Sequence, residues 1–117
     1  MVPVPILRES QVASPAESTF YGRRIHLVGI GGCGMSNVAV VLLRQGAVVR
    51  GSDRQASEAT LRLQALGVEV HLGAHGAECL GGDTDLVVAS AAIKPGNPEL
   101  DEARRRGVGI ISYAELV

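Results

Sequence analysis

Hydrophobic positions along the chain change period repeatedly, and glycine or proline marks most of the changes. Residues 25–30 form an apolar run dense in β-branched side chains. Residues 24–28 read as a strand covered on both faces, as in a parallel sheet. A helical apolar period then runs over 35–45, with Val38, Val41 and Leu42 on one face and Gly46 as its terminator. Valine is a mediocre helix former, so burial rather than propensity must hold this helix. Residues 47–51 read as a second strand. Residues 58–66 read as a helix whose buried stripe is Leu61, Ala65 and Leu66, stopped by Gly67. A third strand over 68–72 and a short helical turn over 77–80 follow. The run Leu86-Val87-Val88 centres a fourth strand over 85–89. Asn97 suits an N-cap and Pro98 the first position of a helix that Gly107 ends. A fifth strand covers 108–112, and a further helix begins at 113–117.

The alternation predicts an α/β fold: a Rossmann-like three-layer sandwich around a five-stranded parallel sheet with right-handed crossovers and the order 3-2-1-4-5. In such a sheet the ligand crevice lies at the carboxyl ends of strands one and four, where the order reverses. Residues 1–20 break the pattern, with Pro3, Pro5 and Pro15 among polar residues, and are expected to be a flexible leader to a domain over 21–117.

The candidate chemistry gathers at that crevice. Gly29, Gly31 and Gly34 fit G-x-G-x-x-G, between a predicted strand and a predicted helix, with Gly32 as a fourth glycine. Glycines permit the tight reversal, and the amides of the following helix start have no intrahelical acceptor. With the helix dipole they make a site for phosphate or pyrophosphate. The plainer alternative is a tight turn whose glycines only permit close packing. Asp53 follows Gly34 by about 20 residues, after Ser52, where dinucleotide-binding folds place an acid for ribose hydroxyls; an N-cap or turn aspartate is the alternative. His75, in the loop after strand three, reads equally as a ligand contact or a solvated histidine. Ser90, Ala91 and Ala92 end strand four, where small residues let a ligand approach the backbone.

Composition narrows the classes. Nearly half of the 117 residues are apolar and only 3% are aromatic, so one domain with an aliphatic core is expected. A net charge of −1 implies no nucleic-acid partner. The apolar runs are too short to span a membrane. Cys33 and Cys79 form no close-spaced motif and read as free thiols of a reducing compartment. Cys33 reads as a small residue lining the loop rather than a nucleophile. In the third main helix acids load the first turns and Arg104, Arg105 and Arg106 the last, which suits the dipole. Asp101–Arg105 and Glu102–Arg106 are the expected pairs.

Taken together, these residues resemble the opening of the Mur ligase family, in its alanine-adding branch. The resemblance rests on Ile25-His26-Leu27-Val28-Gly29-Ile30-Gly31-Gly32-Cys33-Gly34-Met35-Ser36, on Gly51-Ser52-Asp53, on Ser90-Ala91-Ala92-Ile93 and on Asn97-Pro98-Glu99-Leu100. Met35-Ser36 separates the loop from a generic dinucleotide turn. Ala91 stands where the family usually has Ser, Ala74 where it has Gly, and Cys79 where Asn is common. The resemblance implies peptidoglycan synthesis in the cytoplasm. L-alanine is joined to the lactyl carboxylate of UDP-N-acetylmuramic acid, with ATP and Mg²⁺, through an acyl phosphate. It covers only the family's first, UDP-sugar-binding domain. It implies that Gly29 and Gly31, Gly32, Cys33, Gly34, Met35 and Ser36 hold the diphosphate, the last also by its hydroxyl. Ser52 and Asp53 would lie at the uridine end, with His75 and Ser90, Ala91 and Ala92 bordering nucleotide or sugar. No G-x-x-x-x-G-K-[ST] occurs, and Lys94, the only lysine, precedes Pro95. The chain is therefore expected to bind substrate as part of a longer enzyme, without catalytic residues, ATP or Mg²⁺ of its own. An NAD(P)-binding domain of an oxidoreductase remains the alternative.

Overall fold

The computed structural model describes residues 20–90, 93–94 and 96–113, except for the Cys33 side chain. Five parallel strands are ordered 3-2-1-4-5: β1 (Arg24–Val28), β2 (Val48–Asp53), β3 (Glu69–Leu72), β4 (Leu86–Ala89) and β5 (Gly109–Ser112). The α-helices are α1 (Cys33–Arg44), α2 (Glu58–Ala65) and α3 (Pro98–Arg106), with a 3₁₀ turn at Ala77–Cys79. The expected fold class and strand order are those observed. Central β1 pairs with both β2 and β4. Its side chains alternate between the faces of the sheet. Ile25 and Leu27 join Val38, Ala39 and Leu42 of α1 in one core, while Val28 packs with Val87, Leu100 and Ala103 in the other. His26 shares the α3 face with Val28, as the period of two requires.

Several expectations shift. β2 continues through Ser52 and Asp53, which pair with β1 and β3 rather than forming a loop. Phe20, assigned to the leader, packs against the α1-side core, and Gly22 N–H donates to Gly46 O at 3.0 Å. The rest of the expected leader, 1–19, and residues 114–117 lie outside the described residues. The buried stripe of α2 is corrected: Leu61 and Leu66 are 59% and 54% exposed, Ala65 is also exposed, and Thr60 and Leu63 are buried. A capping box sets this phase. Ser57 Oγ accepts from Thr60 N–H at 3.2 Å and Thr60 Oγ1 accepts from Ser57 N–H at 2.8 Å, which fixes how the chain enters the helix. On α3, Asp101 pairs with Arg104 rather than Arg105, while Glu102 holds both Arg105 and Arg106. Among the described residues no helix is long and apolar enough to cross a membrane.

Candidate functional site

The glycine turn is fastened from beneath. Ser52 O accepts from the amides of Gly29 and Ile30, both at 2.9 Å, and Gly29 O accepts from Gly32 N–H at 3.0 Å. Gly31 N–H donates to Asp53 Oδ2 at 2.9 Å. Four amides of the turn are thus engaged within the fold, so the expected donor set of Gly31 through Ser36 contracts. Ser36 N–H is also used, by Gly32 O. The amides of Cys33, Gly34 and Met35 have no acceptor among the described residues, as expected of the first turn of a helix. α1 starts at Gly32 without a side-chain cap and with no acid in its first turn. Its positive dipole end is therefore not offset by its own residues.

The side chains divide differently from the expectation. Met35 lies in the core and Ser36 is buried. Ser52, expected at the uridine end, is 1% exposed and donates its hydroxyl to Glu99 Oε1 at 2.7 Å, so it supports the site instead of lining it. Asp53 is half-buried and shapes the turn through Gly31. Ser90 lies beside the turn, since a methyl group on Gly29 would stand 3.2 Å from its Oγ. Tyr113, just after β5, reaches the other side, where a methyl group on Gly34 would stand 2.5 Å from the tyrosine hydroxyl. Ala91, Ala92 and the Cys33 side chain lie outside the described residues.

His75 is drawn in by a residue that the sequence reading placed only in a helix turn. Glu99, in the first turn of α3, is fully buried. Its Oε1 also meets His26 Nε2 at 2.7 Å, and its Oε2 meets His75 Nδ1 at 2.5 Å. Burial pushes the Glu99 carboxyl up, but the hydrogen bonds from His26, Ser52 and His75 outweigh this and hold it below its ordinary value. Burial pushes the Cys79 thiol up, and the neighbouring Glu99 and Glu78 carboxylates add to that, so Cys79 is not an activated nucleophile.

A cavity of about 440 Å³ opens beside His75, above the carboxyl ends of β2, β3 and β4. Arg54, His75, Ile93, Lys94 and Asn97 are among its walls, and among the described residues no acid lines it. Arg54 and Lys94 are exposed, and neither has an acidic partner among the described residues. The cavity suits an anionic ligand. Among the described residues no group of three or more His, Cys, Asp or Glu side chains is placed to hold a metal ion.

A parallel 3-2-1-4-5 sheet, with a glycine turn and an uncapped helix start at its switch point, defines a Rossmann-like α/β domain. Residues 24–117 match the family model described as "Mur ligase family, catalytic domain". The chain belongs to the Mur ligase family. It is 54% identical over 93 residues to a UDP-N-acetylmuramate–L-alanine ligase of Ruegeria sp., covering 80% of this chain and 19% of that protein. It is 48% identical over 99 residues to the ligase of that name from Geobacter sulfurreducens, covering 83% and 21%. The chain thus spans about a fifth of these relatives. Among solved structures it is similar to the UDP-N-acetylmuramate:L-alanyl-gamma-D-glutamyl-meso-diaminopimelate ligase from Neisseria meningitides, with 28% identity and a TM-score of 0.70 over 78% of this chain and 28% of that one. The D-lactate dehydrogenase of Escherichia coli, at 23% identity and a TM-score of 0.58 over 81% and 30%, shares the fold.

Proposed function

We propose that this chain is the UDP-N-acetylmuramic acid-binding domain of a cytoplasmic, ATP-dependent ligase that adds L-alanine to that nucleotide sugar in peptidoglycan synthesis. The observation that carries this reading is the open start of α1 beside a cationic cavity at the sheet's switch point. The amides of Cys33, Gly34 and Met35 take the diphosphate, and the helix dipole adds to their pull. Asp53, fixed by Gly31 N–H, stands at the neighbouring strand end for the uridine. His75, Ser90 and the cavity walls receive the remainder of the nucleotide sugar. The identity to the L-alanine ligases supports the choice of sugar and amino acid. ATP and Mg²⁺ belong to the longer enzyme, and no step of ligation is assigned to residues of this chain.

Calorimetric titration of the 117-residue chain with UDP-N-acetylmuramic acid and with NADH tests the reading. Binding of the nucleotide sugar is expected, with no heat from NADH. Tight NADH binding without a response to the sugar would replace this function with that of an oxidoreductase cofactor domain.

A further inference from the structure

Glu99 is a buried carboxylate with no lysine or arginine among its hydrogen-bond partners in the described residues. It is held by three donors from three other parts of the fold: His26 of β1, Ser52 of β2 and His75 after β3. An ionised carboxylate can only accept, so the histidine nitrogens that face it carry hydrogen. For His26 this fixes the ring state. Its Nδ1 is buried without a partner, and a bare nitrogen is left there at less cost than an orphaned N–H. His26 is thus a neutral, inward-facing strut. His75 differs because its ring, 13% exposed, reaches the cavity rim. Its Nδ1–H is committed to Glu99, so only Nε2 is left to address the cavity.

We propose that Glu99 is a positioning residue: it clamps His75 by Nδ1, so that any second proton on that ring is carried on Nε2, where it donates to an anionic oxygen of the bound ligand. The ligand chemistry is a phosphate or carboxylate oxygen. This rests on the nucleotide-sugar reading above and adds to it a proton-linked contact. The groups that govern the second proton are those facing the ring. They are Glu99, which the ring touches, Arg54 and Lys94 in the cavity wall, Glu78 beside Gly76, and the Cys79 thiol beside Glu99. A bound anion that accepts from Nε2 holds the proton there, so binding and protonation reinforce each other.

Two measurements decide. Ring-nitrogen NMR of the ¹⁵N-labelled chain at about pH 8 should show neutral His75 with hydrogen on Nδ1, the minority form of free histidine, and His26 with hydrogen on Nε2. An Nε2–H form of neutral His75 would overturn the clamp, with or without ligand. Titration with UDP-N-acetylglucosamine and UDP-N-acetylmuramic acid between about pH 6 and about pH 8 reads the contact. Their disubstituted diphosphates keep a constant charge over that range, one negative charge on each phosphate. Affinity should fall several-fold as pH rises. A fall for both sugars assigns the contact to the diphosphate, and a fall for the muramyl sugar alone assigns it to the lactyl carboxylate. Glu99→Gln and His75→Gln should each flatten the profile, and the double variant should lose no more than either single one. Binding by the wild type with a flat profile would refute the contact. No binding of either sugar would refute the proposed function, while the ring spectra still decide the clamp.

Discussion

Gly31 has no room for a side chain. A methyl group there would stand 2.8 Å from Asp53 Oδ2 and 2.9 Å from Thr60 Cγ2, both anchored in regular elements. Gly31→Ala is expected to cost about 1–3 kcal/mol in urea unfolding, because overpacking forces its neighbours aside. Gly32 is different. Its φ of −62° suits any residue, and its added Cβ would meet Gly29 O at 3.2 Å. Gly32→Val should stay folded yet lose affinity for UDP-N-acetylmuramic acid, because the branched chain crowds the helix start. Unchanged affinity in a folded variant would argue against that start as the anion seat. Glu99 contributes to the acid limb of stability. Its folded value lies below the ordinary 4.5, so its contribution is complete above that value and is lost as pH falls through the depressed one. Urea midpoints should drop below about pH 4.5 in the wild type, and Glu99→Gln should shrink that dependence. Asp53 is held in the turn by Gly31 N–H, the alternative that the sequence left open, and the strand-to-helix glycine turn was legible because its meaning is local. Glu99 was not: an acid in a first helical turn already suits the dipole, and its partner His26 is 73 residues away within an apolar run.

Element identity was readable because each strand and helix carries its own period and its own glycine or proline stop. The phase of α2 was not. The stripe through Leu61, Ala65 and Leu66 and the observed pair Thr60 and Leu63 lie on opposite faces of this eight-residue helix, about half a turn apart. The capping box and the packing of Thr60 under the glycine turn decide between them. Leu63→Ala should therefore cost about 2–5 kcal/mol, and Leu61→Ala should stay within about 0.5 kcal/mol, by chemical denaturation. The reverse order would restore the stripe read from the sequence. On α3, Glu102 is gripped by Arg105 first and Arg106 next, which pulls its carboxyl down to about 2, and Arg106 also reaches Leu80 O and Gly81 O. The last turn of α3 is in this way tied to the loop before β4.

At the scale of the molecule, strand order followed from the β-α alternation and the fold class it implies. The cavity did not, because Arg54, His75 and Lys94 belong to three separate connections that only the folded sheet brings together. A ligand that binds this folded rim stabilises the whole chain. UDP-N-acetylmuramic acid at a hundred times its Kd should add about 2.7 kcal/mol, seen as a rise in Tm. With ATP, L-alanine and the nucleotide sugar, the 117-residue chain alone should release no phosphate. Tyr113 offers a way to watch occupancy. The chain has no tryptophan and two tyrosines. Tyr21 precedes β1 at the amino edge of the sheet, while Tyr113 lies against Gly34, where the diphosphate is proposed to sit. Intrinsic emission excited in the phenol band is therefore a label-free optical gauge of that seat, read over a constant background from the distant ring.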